Sequence, residues 1–158
     1  MKYFGVIGDQ EVDDSIKPMM LKVSKYLTEQ GYTCVHGGNM GTEMTFAKGA
    51  KYEKMILPWN GFNHMRGPIH NPPQKAYDLA AEVYPKWWKA SKGMKKILAR
   101  NAQVIFGENL DSPVEFLMTW GNNRITEHAE SLARLHYVPV YNLSNVEYWK
   151  IMGVLNGN

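Results

Sequence analysis

The chain has 158 residues, 44% of them hydrophobic and 21% charged, enough for one domain with a proper core and with no compositional break at which to divide it. Its 18 Lys and Arg exceed its 15 Asp and Glu by three and are scattered, so there is no basic stripe of the kind that favours a nucleic-acid partner. The single Cys34 allows no internal disulfide and no apolar run suffices for a signal peptide or membrane span, so residues 1–158 read as one soluble, cytoplasmic domain without a membrane partner.

Residues 3–7 predict a first strand, which runs into Gly8-Asp9-Gln10 and a polar loop ending at Asp14. Ser15 stands where it can cap a helix with the apolar face Met19, Met20, Val23, Tyr26 and Leu27, and Gly31 stops it. A second strand follows over 32–36, with Cys34 as a small core residue. It delivers His36-Gly37-Gly38-Asn39-Met40-Gly41-Thr42-Glu43, after which Met44, Phe46, Ala47 and Ala50 take helical spacing over about 42–50. Strand, glycine turn and helix start together make an anion cradle, because the first helical N–H groups are unpaired and carry partial positive charge. The spacing matches neither the dinucleotide fingerprint nor the Walker loop.

A third strand is expected over 54–58, around Met55-Ile56-Leu57, and its lack of alternation suits a sheet covered on both faces. From Trp59 to Pro73 turn formers recur, so this long segment is expected to be a pocket wall or lid. Helical spacing returns over 74–90, with Pro85 expected to kink or divide it, and again over 91–102; Trp87 and Trp88 read as packing residues. A fourth strand over 114–120 leads to Gly121-Asn122-Asn123, Thr126 is placed to cap a helix over 127–135, a fifth strand covers 138–141, and a closing helix is expected over 145–155. Strand–helix alternation of this kind predicts an α/β, Rossmann-like three-layer sandwich around a mostly parallel sheet of five or more strands.

In such a sheet, ligands bind beyond the carboxyl ends of the strands. That gathers Gly8, Asp9 and Gln10; His36, Gly37, Gly38, Asn39, Met40, Gly41, Thr42 and Glu43; Pro58, Trp59, Asn60, Phe62 and Asn63; and Trp120, Gly121 and Asn122. Trp59, Phe62 and Trp120 are candidates to stack on a base, and Asn39, Asn60, Asn63 and Asn122 to read its edge. Glu43, in the first turn of the glycine-started helix, is either a helix-start anion or an acceptor for ribose hydroxyls. His36 is either an acid–base group or a hydrogen-bonded structural residue. No Cys/His spacing fits a metal, His64 and His70 included, no nucleophile elbow is present, and no cofactor is expected.

The succession His36-Gly37-Gly38-Asn39-Met40-Gly41-Thr42-Glu43, Ala47-Lys48-Gly49-Ala50 and Ile56-Leu57-Pro58-Trp59 resembles the SLOG superfamily, which includes the Rossmann-like domain of DNA-processing protein A (Smf) and the Lonely Guy phosphoribohydrolases. Ala99-Arg100-Asn101, Gln103-Val104, Pro113, the run Phe116 to Trp120 and the run Pro139 to Leu143 match later landmarks, most closely those of small single-domain Smf-like proteins carried by bacteriophages. The resemblance implies a Rossmann-like sheet that binds a nucleotide or nucleotide-derived ligand, often as a homodimer. Where relatives have a second glycine-rich turn this chain has Gly121 to Glu127, with Arg124 as the residue that could replace lost contacts to a phosphate. The hydrolases' Pro-Gly-Gly-x-Gly-Thr-x-x-Glu is not reproduced. Three functions follow as expectations: binding of a nucleotide as a sensor or sequestering protein, N-glycosidic cleavage of a nucleoside monophosphate assisted by Glu43, and single-stranded DNA binding, which the scattered charge does not favour.

Overall fold

The computed structural model describes residues 2–145, and in them the apolar runs of the sequence become parallel strands buried on both faces. The strands are β1 (Lys2–Gly8), β2 (Tyr32–His36), β3 (Glu53–Met55), β4 (Phe116–Trp120) and β5 (Val140–Asn142). The helices are α1 (Lys17–Glu29), α2 (Thr42–Gly49), α3 (Gln74–Ala81), α4 (Lys92–Phe106) and α5 (Arg124–Leu135). All pairings are parallel, in the order β3-β2-β1-β4-β5.

Because successive side chains on a strand point to opposite faces, each strand feeds two cores. Phe4, Val6, Cys34 and Met118 pack with Met20, Val23 and Leu27 of α1 and Phe46 of α2. Ile7, Val35 and Leu117 pack with Ala99, Ala102 and Ile105 of α4 and Ala129 and Leu132 of α5. The chain thus builds outward from β1 to β3 along one edge, with α1 and α2 on one face. It then returns to β4 on the other side of β1, with α3, α4 and α5 covering the opposite face. The strand order reverses between β1 and β4, the switch point beside which open α/β sheets bind ligands at the carboxyl edge. The predicted Rossmann-like α/β sandwich is the observed fold.

Several boundaries differ from the sequence expectation. Ser15 does not cap α1: its N–H and hydroxyl both go to Asp13 Oδ1 at 3.0 Å, and Ile16 stands at the N-cap without a side-chain bond. The third strand is short because the Leu57 N–H leaves the ladder for the Ile69 carbonyl, 3.0 Å away. Pro85 divides the 74–90 segment as expected: α3 ends at Ala81, four residues upstream, where the ring would meet the helical carbonyl. Lys86 then takes φ +56° before a short 3-10 turn, Trp87–Lys89. Helix α4 runs four residues past the predicted 102, capped at its start by Ser91 and closed by Gly107. Asn123, not Thr126, caps α5, accepting from the Thr126 N–H at 2.8 Å. The closing helix expected over 145–155 falls almost entirely outside the described residues.

Candidate ligand site at the carboxyl edge

The turn after β2 is held from below by buried charge. Glu43, 1% exposed in the first turn of α2, accepts the Gly37 N–H on Oε1 at 2.9 Å. Arg100, 1% exposed on α4, donates from Nη1 to the Gly37 carbonyl and from Nε to Asn101 Oδ1 at 2.8 Å. Burial lowers the Arg100 pKa and the Glu43 carboxylate opposes that shift, so the two charges support each other across the turn. The guanidinium also lies 5.2 Å over the Phe62 ring, a cation–π contact out of water. Sequence reasoning placed Arg100 and Asn101 only among family landmarks and not in the site. The signal available was an Arg-Asn pair within the stretch Ile97 to Phe106, where Gln103 is the one other polar residue.

His36, fully buried, accepts the Gly38 N–H on Nδ1 at 3.1 Å, so its proton belongs on Nε2. Nε2 lies 3.5 Å from Glu53 Oε2, too long for a full hydrogen bond, and has no closer partner among the described residues. That contact still holds the Glu53 carboxyl below its ordinary range, against the opposing effect of burial. His36 therefore shapes the turn. Gly41 does the same: at φ +82°, a Cβ on it would overlap the Gln10 carbonyl oxygen, so the loop after β1 packs directly on this glycine. Thr42 N–H and Oγ1 both donate to the Asp9 carbonyl, at 3.2 and 2.9 Å. Met44 N–H goes to the Asn39 carbonyl at 3.2 Å.

What is left over is as informative as what is bonded. Among the described residues, the N–H groups of Asn39, Met40 and Gly41 have no acceptor. They form the apex of the turn, where Met40 is 49% exposed. Asn63, at φ +51°, reaches over this apex and donates from Nδ2 to the Gly38 carbonyl at 3.2 Å. Pro58 is buried, Asn60 exposed, and half-buried Trp59 meets Phe62 edge-on with centroids 5.2 Å apart. The 59–72 segment is thereby tied to the turn by Asn63 and to the sheet by the Leu57–Ile69 bond.

The residues after β4 behave differently. The Asp9 carboxylate accepts the N–H groups of Asn122 and Asn123, both at 3.1 Å, and the Thr126 hydroxyl at 2.8 Å. The start of α5 is thus filled by a carboxylate of the chain itself. Gly121, at φ +95°, is the one residue type that fits against it, since a Cβ would overlap the Asp9 carboxyl group. Gly8, beside it, faces Thr42. Of the expected site residues here, Asn122 gives its backbone N–H to Asp9, Trp120 is partly buried against the α1 core, and Arg124 lies along a different cleft, beside Tyr84. Trp88 is corrected, being 74% exposed and unpacked, although Trp87 does meet Tyr84 at 5.6 Å. Nor is the basic excess scattered: Lys86, Lys89, Lys92, Lys95 and Lys96 carry five of the 18 cations in a stretch without an acid.

No protein-family profile matches the chain, and no curated protein does. Solved structures match its fold. TM1055, a structural-genomics target, superposes with a TM-score of 0.59 at 16% identity over 89% of this chain and 72% of its own. DNA processing protein A from Helicobacter pylori, which binds single-stranded DNA, gives a TM-score of 0.61 at 18% identity over 89% of this chain. The chain spans 64% of that protein's length. The likeness lies in the Rossmann-like fold.

Proposed function

We propose that the protein binds a nucleotide or nucleotide-derived ligand at the carboxyl edge of its sheet, as a homodimer, without strong catalysis. The observation that carries this is the run of N–H groups at Asn39, Met40 and Gly41, without an acceptor among the described residues, at the apex of a turn whose Gly37, Gly38 and Thr42 N–H groups are engaged. Adjacent main-chain donors at a helix start attract an anion, and phosphate is the commonest. Trp59 and Asn60, next to this apex through Asn63, are the groups left to meet a base. Arg100, Glu43 and His36 are positioning residues here, since each bonds the backbone of Gly37 or Gly38. An amide-resolved NMR titration of the whole chain with AMP, GMP, CMP and UMP tests it. The Asn39, Met40 and Gly41 resonances should move first; saturation of binding with these three unmoved overturns the proposal. N-glycosidic cleavage is the version in which Glu43 takes part in chemistry, and it requires release of free base with multiple turnover.

A second reading, single-stranded nucleic acid, rests on a separate observation: exposed Trp88 among five lysines, with Lys95 already 5.6 Å over Trp87. Outside 86–96 the chain has 18 − 5 = 13 basic against 15 acidic residues, so this stretch carries the whole positive excess. Quenching of tryptophan fluorescence by oligo-dT, steeply salt-dependent and lost in Trp88→Ala, is its expected signature; no quenching at low salt removes it.

A further inference from the structure

Met40 stands at the apex of the open turn and is 49% exposed. Among the described residues it is the one exposed methionine; all the others are buried or half-buried. Two of those lie against the same turn, since a Cβ on Gly38 would stand 3.2 Å from Met65 Sδ and 3.4 Å from Met55 Sδ, and both are partly covered there. A thioether left in water is open to two-electron oxidation, which turns an apolar side chain into a polar sulfoxide. The Met40 sulfur is joined to Cα by a short flexible chain. An oxygen on it therefore reaches the residue's own N–H and that of Gly41, neither of which has an acceptor among the described residues.

We propose that Met40 is an oxidation site whose sulfoxide closes this turn from within, as the Asp9 carboxylate closes the start of α5. Its effect on binding rests on the reading of residues 39–41 as the anion cradle. The oxidant is a peroxide. The sulfur lone pair attacks one peroxide oxygen, and the S–O bond forms as the O–O bond breaks. The departing hydroxide takes the proton from the transferred oxygen and leaves as water, so sulfur loses the two electrons that the peroxide gains. The new oxygen carries partial negative charge at a helix start that favours it, occupies N–H groups that a phosphate needs, and repels the phosphate's own charge. Methionine sulfoxide reductases return the thioether, so this closure is reversible where that by Asp9 is permanent. Met55 and Met65 are shielded by the packing under Gly38, which leaves Met40 as the sulfur that a peroxide meets first.

The test treats the full chain with hydrogen peroxide, maps the oxidised methionines by peptide mass spectrometry, and records amide-resolved NMR spectra before and after, with and without AMP. Met40 is expected to reach half-oxidation before any other methionine of residues 2–145, and the ligand-free amides of Met40 and Gly41 should then move downfield. AMP should bind the oxidised chain about three- to tenfold more weakly, the worth of one competing acceptor, and reductase treatment should reverse the loss. In Met40→Leu, which keeps every other methionine, peroxide should leave the AMP affinity where it stood before treatment. Oxidation of Met55 or Met65 ahead of Met40, ligand-free amides at 40 and 41 that stay in place, an AMP affinity that oxidation does not change, or a peroxide effect that persists in Met40→Leu overturns the proposal. AMP that fails to move residues 39–41 of the untreated chain counts instead against the nucleotide reading, and the ligand-free shifts still decide whether the sulfoxide closes the turn.

Discussion

Two turns at the carboxyl edge use the same backbone device to opposite ends. After β2, residues 37–43 spend their inner polar groups on Glu43, His36 and Arg100 and keep the N–H groups of Asn39, Met40 and Gly41 unengaged. After β4, residues 121–126 are closed by Asp9, which takes two backbone N–H groups and a hydroxyl. A helix start thus marks where an anion can sit, while the reach of the chain's own carboxylates decides whether the place is open.

The largest expected effect comes from Gly41→Val, which forces a branched side chain onto φ +82° against the Gln10 carbonyl. It should cost about 3–5 kcal/mol in urea unfolding. A loss under about 1 kcal/mol would mean that the loop after β1 yields easily, and that the open turn is not braced as described. Next comes Arg100→Met, expected to cost about 3 kcal/mol because Glu43 keeps a buried charge without its cation. Adding Glu43→Gln should recover part of that loss; strict additivity in the double-mutant cycle would show that the two residues do not act as a pair.

Asp9→Ala should cost less, about 1–2 kcal/mol, the range for losing the oxygen that caps a helix start. It should also make the second turn like the first: inorganic phosphate would then move the Asn122 and Asn123 amides, which it leaves still in the wild type. Amides that ignore phosphate in both proteins would separate the two turns for a reason other than Asp9. The smallest effect belongs to the open side alone. Glu53 has a folded pKa below its ordinary 4.5, mainly through His36, so its contribution is complete above that value and is lost as pH falls through the folded value. Glu53→Gln should therefore flatten the acid limb of a stability–pH curve, and an unchanged limb would show that the 3.5 Å contact contributes nothing.

Local pattern sufficed for the sheet. Unbroken apolar runs such as Phe4 to Ile7 and Leu117 to Met118, separated by helical spacing, dictate parallel strands covered on both faces. The glycine turn was also legible, because Gly37, Gly38 and Gly41 stand between a strand and a helix signal. The division of labour inside the site was not. Arg100 meets Gly37 across 63 positions of sequence, and Asp9 meets Thr126 across 117, so neither partnership leaves a local trace. The cap assignment failed by position: Thr126 has the right chemistry for a cap, but it stands three residues into the helix, where its N–H goes to Asn123 Oδ1 and its hydroxyl donates to Asp9. Trp88 failed through context, since Pro85 and the left-handed Lys86 turn the chain outward before it.

Asp9 can also be described as a competitor that never leaves. Its backbone is fixed two ways, by its N–H on the Trp120 carbonyl at 2.9 Å and by its carbonyl on Thr42. A group tethered so closely presents itself to the α5 start at an effective concentration of at least about millimolar, and far higher where the tether is rigid. Free phosphate of equal intrinsic affinity for the N–H groups must exceed that concentration to enter. Because the same residue's carbonyl holds Thr42 at the start of α2, an anion strong enough to displace the carboxylate would pull on the open turn as well, giving the two turns a mechanical link through a single residue.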